Sequence, residues 1–514
     1  MRTKKFAALL AAAAMMLGMG GCNTAERAPA ATTAAGGGTT AAAGGSSGGD
    51  EEAADTTAPD YDFEEAAVTA IDPNQPTGTI KILIYHDLVT SDAAMVELFK
   101  ERYGGEVEQE LCESGAGYFE AIGKNVAADL SPDIVRYEWM SFPHGVSRNI
   151  FTPLDSYIDL DSEMWSPMKE IADEFSLGGK HYYVPHKLSC NFAINYNKKV
   201  LEEYGMTDPM ILYQAGEWDW DAFRDMITEW CNNDPEHIGY TGVNAMSFIA
   251  TTGTKLIDVS GSTITNNLEN ENVQRCMTFL EDICRQGLTG EGYVDPGQAF
   301  VDGNLLFLGM EPEWTYGAAC GALAGKNIDF EMAFLPFPKD PLSDNYNIAY
   351  DSFGFMIPSG AKNIKGAVDW ITLYRAEQID PENVANARTK ATHPDYYPKC
   401  AECKYAFTED ETYIDTCPNC GTPRRIRSYT YSEEQYDILM DMKSPENGKF
   451  NFLFDNCFGF NADLNLIFQG KGEESLLDGP IFYDVSYTQL REANYNRIES
   501  ILDDYRDRLA KLNG

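Results

Sequence analysis

The sequence predicts an α/β fold, and three observations lead to this prediction. Strand-like and helix-like patterns alternate from about residue 78, at the spacing expected for a parallel sheet covered by helices. The length of 514 residues exceeds one ordinary domain and suits two domains of about 150–200 residues each. Hydrophobic residues make up 44% of the chain and aromatic residues 12%, which excludes collagen-like, wholly disordered and multi-span membrane proteins.

The charge balance limits the possible partners. The chain has 39 Lys and Arg residues against 80 Asp and Glu residues, which gives a net charge of -41. Nucleic-acid binding needs a basic surface that releases counterions from the phosphates, and this composition does not supply one. We therefore expect no nucleic-acid partner and a repulsion from anionic surfaces.

The N-terminus has the pattern of an export signal that ends in a lipidated cysteine. Three positive charges within the first five residues precede an apolar segment at 6–19, whose 14 residues are too few to span a bilayer. The following Met19-Gly20-Gly21-Cys22 resembles the lipobox of bacterial lipoproteins, although Met19 stands where Leu is usual. This resemblance implies that residues 1–21 are a signal peptide and that Cys22 carries the lipid. The alternative is an ordinary cleaved signal with an incidental cysteine.

Residues 22–77 predict a flexible, low-complexity tether. The segment consists mainly of Ala, Thr, Gly and Ser, and it has too few large apolar residues to offset the entropy lost on ordering. A flexible chain of about 50 residues has a root-mean-square reach of about 40 Å. Such a tether would hold a globular body away from a membrane.

The globular part begins with strands and helices in alternation. The predicted strands are 79–85, 107–112 and 131–135, and the predicted helices are 92–103 and 117–128. In parallel sheets, ligands bind outside the carboxyl ends of the strands. The loops that follow these strands contain Tyr85, His86 and Trp139, which are therefore candidate ligand-binding residues.

Several short motifs farther along the chain follow the order and spacing of a known family. They are Y-x-x-P at 182–185, Y-N-K at 196–198, G-E-W-D-W-D at 216–221, F-V-D-G at 300–303, P-F-P at 336–338 and D-S-F-G-F at 351–355. Over roughly residues 78–390, the sequence resembles the extracellular solute-binding proteins, family 1, of ABC importers. Members of this family mostly bind carbohydrates.

The resemblance implies a two-lobed, periplasmic-binding-protein-like fold of type II, which closes on its ligand about a hinge. The chain would cross between the lobes near 185–191 and near 348–355. The expected boundaries are 78–187 and 352–393 for lobe 1, and 188–351 and 429–514 for lobe 2 with the C-terminal helices.

Further ligand-binding candidates follow from the chemistry of sugars, whose apolar faces pack on aromatic rings and whose hydroxyls bind carboxylates and amides. Trp314 stands where the family motif ends in a ligand-contacting aromatic residue. Glu311 and Glu313 flank Pro312, and on an extended segment they would face the same side. Asp351 lies on a predicted inter-lobe loop. Each of these residues has a structural alternative, either packing in the core or lying on a solvated acidic loop.

A four-cysteine motif predicts a metal site that is independent of the ligand. Cys400 and Cys403 form one C-x-x-C pair, and Cys417 and Cys420 form a second pair after 13 residues. Two such pairs supply four thiolates for a tetrahedral ion, with no open position for catalysis. A structural zinc is favoured, iron in a rubredoxin-like site is the lesser option, and two disulfides or free thiols are the alternatives. Residues 394–428 would form a small zinc-ribbon-like insertion.

The favoured function is that of a binding protein without covalent chemistry or an organic cofactor. It would be a monomer, lipid-anchored at the outer face of the membrane, that delivers a carbohydrate to the permease subunits of an ABC transporter. One alternative is an exported glycoside hydrolase that uses a carboxylate pair such as Glu311 and Glu313. Another is a sensor or adhesion module on the same fold. The identity of the sugar stays open, and a peptide or another solute remains an alternative ligand.

Overall fold

The computed structural model places most of the chain from residue 77 onward. The described residues are 77–190, 192–290, 295–316, 323, 326, 328, 330–393, 395–408, 411, 414–424, 426–428, 430–470 and 472–512. The predicted signal peptide, Cys22 and all but the last residue of the predicted tether lie outside these ranges. In the described part, none of the helices combines the length and apolar character needed to cross a bilayer.

Lobe 1 is built on a four-stranded sheet. In spatial order its strands are Phe355–Met356, Ile134–Arg136, Gly78–Ile84 and Gly105–Leu111. The last three run parallel, whereas the first is antiparallel to its neighbour. The helices of this lobe are Ala93–Tyr103, Ala116–Ala127 and Ile364–Ile379. Because three strands are parallel, the segments that follow Ile84, Leu111 and Arg136 meet at one edge of the sheet.

Asp133 fixes the start of one strand of this sheet. Its buried carboxylate accepts hydrogen bonds from the backbone amides of Lys81 at 2.9 Å, Lys362 at 2.9 Å and Asn363 at 2.6 Å. It thereby ties the sheet to the N-terminus of helix Ile364–Ile379, which returns to this lobe from a distant part of the chain.

Lobe 2 is built on a second four-stranded sheet. In spatial order its strands are Met332–Leu335, Ala193–Asn197, Leu305–Met310 and Ile238–Thr241. Helix Trp220–Asn233 packs against this sheet, and helix Glu271–Arg285 packs against helix Ala245–Thr251. Trp218 and Trp220 are almost fully buried, and their indole N–H groups donate to the Pro336 carbonyl at 2.9 Å and to the Thr251 hydroxyl at 3.1 Å. Both tryptophans of the G-E-W-D-W-D motif therefore pack in the core of lobe 2.

Two antiparallel strands, Lys187–Cys190 and Asn347–Phe353, carry the chain between the lobes. The first continues into strand Ala193–Asn197 of lobe 2, and the second continues into strand Phe355–Met356 of lobe 1. We call this pair the hinge ladder. It overlaps the two segments that the sequence predicts as crossovers, and strand Asn451–Leu453 extends it on one side.

His186, which immediately precedes the hinge ladder, is a packing residue. Its ring is buried and lies 5.9 Å from the Phe355 ring and 4.9 Å from the Tyr374 ring, between centroids. Burial, together with the nearby charge of Lys187, holds the pKa of His186 well below its usual range.

The C-terminal region, which we take as the described residues from 430 onward, contacts both lobes. Helix Tyr487–Leu512 packs against strand Thr263–Asn266 through the Arg506 Nε group, which donates to the Ile264 carbonyl at 2.9 Å. On the other side, the backbone N–H of His144 donates to the Gly459 carbonyl at 3.1 Å. The exact boundaries of the lobes, including the assignment of this region to lobe 2, stay predictions.

Shorter elements complete the described part. The short helices are Leu88–Ser91, Lys169–Asp173, Lys198–Tyr204, Pro209–Ala215, Ala245–Thr251, Pro296–Val301, Pro312–Tyr316, Pro381–Thr392, Glu433–Asp441, Ala462–Gln469 and Gly479–Phe482. Three two-stranded sheets consist of Ser176–Leu177 with Lys180–His181, Ile257–Ser260 with Thr263–Asn266, and Asp395–Tyr396 with Ile426–Ser428. The last of these closes the base of the predicted cysteine insertion.

Candidate functional site

The hinge ladder presents a polar face to the space between the lobes. Lys187 is paired with Phe353 across the ladder, and Ser189 is paired with Asp351. Directly paired residues share one face of an antiparallel sheet, and alternate residues point to the same side. Lys187, Ser189, Asp351 and Phe353 therefore lie on one face, which we call the cleft floor.

Lobe 1 contributes one wall of the cleft, at the carboxyl ends of strands Gly78–Ile84 and Ile134–Arg136. The Tyr85 hydroxyl donates to Glu138 Oε1 at 2.6 Å. The Arg136 guanidinium lies 5.8 Å from the centre of the Tyr85 ring and 5.5 Å from the centre of the Phe353 ring. Arg136 thus connects this wall to the cleft floor.

His86 and Trp139 extend the same wall outward. The His86 ring lies edge-on to the Tyr85 ring at 5.3 Å between centroids, and burial followed by the charge of Arg136 lowers the pKa of His86. The Trp139 side chain is 43% exposed and packs edge-on against Phe458 at 6.1 Å. Trp139 therefore has a ring surface available to a ligand.

Lobe 2 contributes the opposite wall through the segment that follows strand Leu305–Met310. The Ser189 hydroxyl donates to Glu311 Oε1 at 3.1 Å, and the Lys443 ammonium contacts Glu313 Oε1 at 2.8 Å. Sequence reasoning expects an extended segment here, but helix Pro312–Tyr316 begins directly after Glu311. Proline suits the first turn of a helix, and this explains the difference. The side chain of Trp314 lies outside the described part of the structure.

The two carboxyl groups of this wall have opposite tendencies to bind a proton. Burial, reinforced by the negative charge of Glu313, raises the pKa of Glu311 to about 7. Burial also acts to raise the pKa of Glu313, but the ion pair and hydrogen bond with Lys443 outweigh it and leave the pKa below its usual value. Near neutral pH, Glu311 can thus donate or accept a hydrogen bond, whereas Glu313 only accepts.

The cleft brings together most of the ligand-binding candidates from the sequence, namely Tyr85, His86, Asp351, Glu311 and Glu313. Its rings, carboxylates, hydroxyls and cations suit a ligand with hydroxyl groups and apolar faces.

Sequence reasoning misses the other side chains of the cleft, which are Arg136, Glu138, Lys187, Phe353 and Lys443. Arg136 and Glu138 come directly after the predicted strand 131–135. Ligands bind at this end of parallel strands, so the position of these two residues could have identified them as candidates. The remaining three come from segments far apart in the chain, so their meeting depends on the hinge ladder.

The four cysteines of the insertion lie together. Their sulfur atoms are all within 4.8 Å of one another, and the Sγ–Sγ distances of Cys400 to Cys420 and of Cys403 to Cys417 are 3.6 Å. A disulfide needs about 2.05 Å, so these pairs are not bonded here. Four sulfurs around a tetrahedral zinc at about 2.3 Å would be about 3.8 Å apart. The arrangement is therefore close enough to hold a metal ion.

The backbone around the two C-x-x-C pairs follows the same pattern twice. Lys404 and Gly421 directly follow the second cysteine of each pair, and both have positive φ angles, 58° and 73°. The backbone N–H groups of Tyr405 and Thr422, one residue farther on, donate to the sulfurs of Cys403 and Cys420. Such amide donors stabilise thiolates, as a metal site requires.

Arg424 fills the centre of the insertion. Its guanidinium lies 3.8 Å from the centre of the Phe407 ring and 4.6 Å from that of Tyr396, and it donates to the Glu411 carbonyl at 2.6 Å. The insertion thus has little apolar core of its own, which is the condition under which small domains depend on a metal.

A family model for bacterial extracellular solute-binding proteins matches residues 94–387, which is more than half of the chain. No curated protein matches the sequence.

Solved structures match over most of the chain at low sequence identity. The galacto-N-biose/lacto-N-biose I-binding protein of an ABC transporter from Bifidobacterium longum is 12% identical with a TM-score of 0.55, and the match covers 83% of this chain and 97% of that one. The cyclic alpha-maltosyl-1,6-maltose binding protein from Arthrobacter globiformis is also 12% identical with a TM-score of 0.55, covering 83% and 99%. An ABC transporter associated binding protein from B. animalis subsp. lactis, in complex with beta-1,6-galactobiose, is 14% identical with a TM-score of 0.51, covering 84% and 98%. These likenesses confirm the two-lobed α/β fold.

Proposed function

Because the chain belongs to the bacterial extracellular solute-binding proteins, we propose that it captures a carbohydrate between its two lobes and delivers it to an ABC transporter. A ligand of oligosaccharide length fits the proposal, since each of the three compared proteins is named for, or solved with, a sugar of two or more units. The family consists of extracytoplasmic binding proteins, so we expect no covalent chemistry.

The observation that carries this proposal is the composition of the cleft. The floor offers Asp351 and Phe353, one wall offers Tyr85, and the other offers Glu311 and Glu313. Hydroxyl-bearing ligands are held by such a mixture of aromatic surfaces and hydrogen-bonding groups.

A thermal-shift screen of the purified full chain against a panel of oligosaccharides tests the proposal. A ligand that binds only the folded state adds about 2.7 kcal/mol of stability at a hundredfold excess over its dissociation constant. We expect at least one sugar to raise the melting temperature and to be recovered intact. The variant Asp351→Ala should lose the shift, whereas Asp484→Ala, which removes an exposed carboxylate, should keep it.

Other results would redirect the assignment. Recovery of cleaved sugar would favour the glycoside hydrolase. If no sugar raised the melting temperature, a peptide ligand or a sensor role would be favoured. Neither alternative has an observation in its favour.

For the insertion, we propose that Cys400, Cys403, Cys417 and Cys420 hold one structural zinc ion. Two features support this proposal: the sulfur spacing and the amide donors around it. Metal analysis of the purified chain should find about one zinc per chain. Cys403→Ser should lose the metal and become sensitive to protease within 395–428. Cys231→Ser, a partly buried cysteine elsewhere, should retain it. Iron in place of zinc would correct the identity of the metal, and absence of both would refute the site.

We further propose that Cys22 carries the lipid anchor and that the body acts as a monomer at the outer face of the membrane. The support is the Met19–Cys22 motif and the low-complexity composition of 22–77. Labelled fatty acid should be incorporated into the wild-type chain in cells, whereas Cys22→Ala should abolish this incorporation.

A further inference from the structure

We infer that the ligand carries an anionic group, such as the carboxylate of a uronic acid, which binds at Arg136 and Lys187 on the cleft floor. This inference rests on the proposed capture of a carbohydrate and specifies the chemical class of the sugar.

The two cations converge on one ring of the cleft floor. The Lys187 ammonium lies 5.2 Å from the centre of the Phe353 ring, and the Arg136 guanidinium lies 5.5 Å from it. Lys187 and Phe353 are direct partners in the hinge ladder, and Arg136 ends a strand of lobe 1. One cation therefore comes from the hinge and the other from a lobe, and an anion held by both would connect the two.

Neither cation has a strong partner within the part of the chain that the structure describes. Among the described residues, no acidic side chain lies within ion-pair distance of Lys187. Arg136 has only a long contact of 3.8 Å from Nε to Glu138 Oε1, and that oxygen already accepts the Tyr85 hydroxyl at 2.6 Å. A planar guanidinium can bind a carboxylate through two parallel hydrogen bonds, and Arg136 makes no such pair with any side chain that the structure describes.

The lack of partners is unusual in this chain, because acidic residues outnumber basic ones by 80 to 39. Other charges of the cleft are already engaged or partly neutralised. Lys443 is paired with Glu313, and Glu311 is only partly ionised near neutral pH.

The surroundings of Lys187 also favour an incoming anion. Burial, followed by the charge of Lys443, lowers the pKa of Lys187, while Glu313 and Asp92 oppose this effect from a distance. A bound carboxylate would stabilise the charged ammonium and offset the repulsion from the neighbouring cations.

Calorimetric titration of the purified full chain with matched sugars tests this inference. The probes are galacturonate and glucuronate oligosaccharides, the methyl esters of the same compounds, the corresponding neutral sugars and sulfated oligosaccharides. The ester keeps the hydroxyl pattern and removes only the charge. We expect the acidic sugars to bind at least about tenfold more tightly than their esters, which corresponds to about 1.4 kcal/mol. Their affinity should also fall with added salt.

Charge-removing variants locate the site. Lys187→Gln should weaken binding of the acidic sugar by about tenfold or more and weaken binding of the ester by a much smaller factor. Arg136→Lys keeps the positive charge but loses the planar guanidinium, so it should also weaken binding of the acidic sugar. Lys124→Gln, which changes an exposed lysine paired with Glu120 on helix Ala116–Ala127, is the matched control and should change nothing.

The possible outcomes separate this inference from the proposed function. Tighter binding of the sulfated sugars would mean that the ligand is anionic but carries a sulfate and not a carboxylate. Binding of neutral sugars as tight as that of their acidic partners would overturn the inference and leave carbohydrate capture standing. An absence of binding to every sugar would overturn both.

Discussion

Glu311 and Glu313 show how strongly the environment of a carboxyl group sets its chemistry. Only Pro312 separates them, but Glu311 has a serine hydroxyl as its partner and Glu313 has a lysine ammonium. The serine hydroxyl does not offset the cost of burying an ionised Glu311 next to a second carboxylate. The lysine ammonium does offset the corresponding cost for Glu313. The pKa of Glu311 is consequently raised to about 7 and that of Glu313 is lowered.

The raised pKa of Glu311 predicts a pH-dependent stability. In the unfolded chain this carboxyl loses its proton near 4.5, whereas in the folded protein it keeps the proton up to about 7. The folded state therefore binds more protons within this window, and the unfolding free energy falls as the pH rises through it. Glu311→Gln removes the ionisation and should gain about 1–3 kcal/mol relative to wild type between about pH 5 and pH 8. Thermal unfolding of both proteins across this range measures the difference, and a gap that stays constant with pH would contradict the prediction.

At the residue scale, the sequence predicts the candidates that stand next to recognisable landmarks. Tyr85 and His86 follow a strand, and Glu311 lies in a family motif. Lys187 and Lys443 have no such landmark. Lys187 acquires its role only because Phe353, more than 160 positions away, is its cross-strand partner.

At the scale of elements, the first strands and helices follow the sequence pattern closely. The strand predicted at 79–85 is observed at Gly78–Ile84, and the helix predicted at 117–128 is observed at Ala116–Ala127. Alternating burial and helical periodicity determine such elements locally. The C-terminal region is different, because its packing on both lobes depends on contacts such as the close approach of Gly459 to Phe142, which no local pattern encodes.

Gly459 and Gly123 should respond to alanine in opposite directions. A Cβ atom on Gly459 would lie 1.9 Å from the Phe142 carbonyl oxygen, and the backbone would have to move to accept it. We expect Gly459→Ala to destabilise the protein by about 2 kcal/mol or more. Gly123 lies inside helix Ala116–Ala127, where the nearest atom would be 3.9 Å away. Gly123→Ala should therefore stabilise by about 0.5–1 kcal/mol, since it removes the entropic cost of glycine.

Denaturant unfolding of these two variants and the wild type measures both effects. An unchanged stability of Gly459→Ala would show that the C-terminal region does not lie against Phe142 as described. Gly123→Ala is the control, because it shows whether replacing glycine by alanine lowers the unfolding free energy at a position with free space.

For the whole molecule, the two faces of the hinge ladder have different roles. One face is the cleft floor. On the opposite face, the Tyr350 hydroxyl donates to Glu174 Oε2 at 2.7 Å, and Glu174 Oε1 contacts the Lys255 ammonium at 2.7 Å. Glu174 belongs to the segment before the first crossover and Lys255 to the segment after it, so this ion pair joins the lobes behind the hinge.

The front of the cleft has no equivalent connection. Among the described residues, we find no hydrogen bond or ion pair that joins Tyr85 or Glu138 on one wall to Glu311 or Glu313 on the other. Rotation of the lobes about the hinge ladder can therefore narrow the front without breaking such bonds. The same rotation separates groups that lie behind the ladder.

This arrangement predicts opposite effects of one substitution on stability and on ligand affinity. Glu174→Gln keeps the shape of the side chain and removes its charge, so the partly buried ion pair with Lys255 is lost, at a cost of about 1–3 kcal/mol in the unfolding free energy. Closure on a ligand no longer has to stretch that pair, so the variant should bind the ligand several-fold more tightly than wild type. Glu120→Gln, which removes an exposed ion pair with Lys124, should cost less than about 0.5 kcal/mol and leave the affinity unchanged. Unfolding and titration of all three proteins give both quantities. Weaker binding by Glu174→Gln would mean that the pair favours the closed state and would reverse its assigned role.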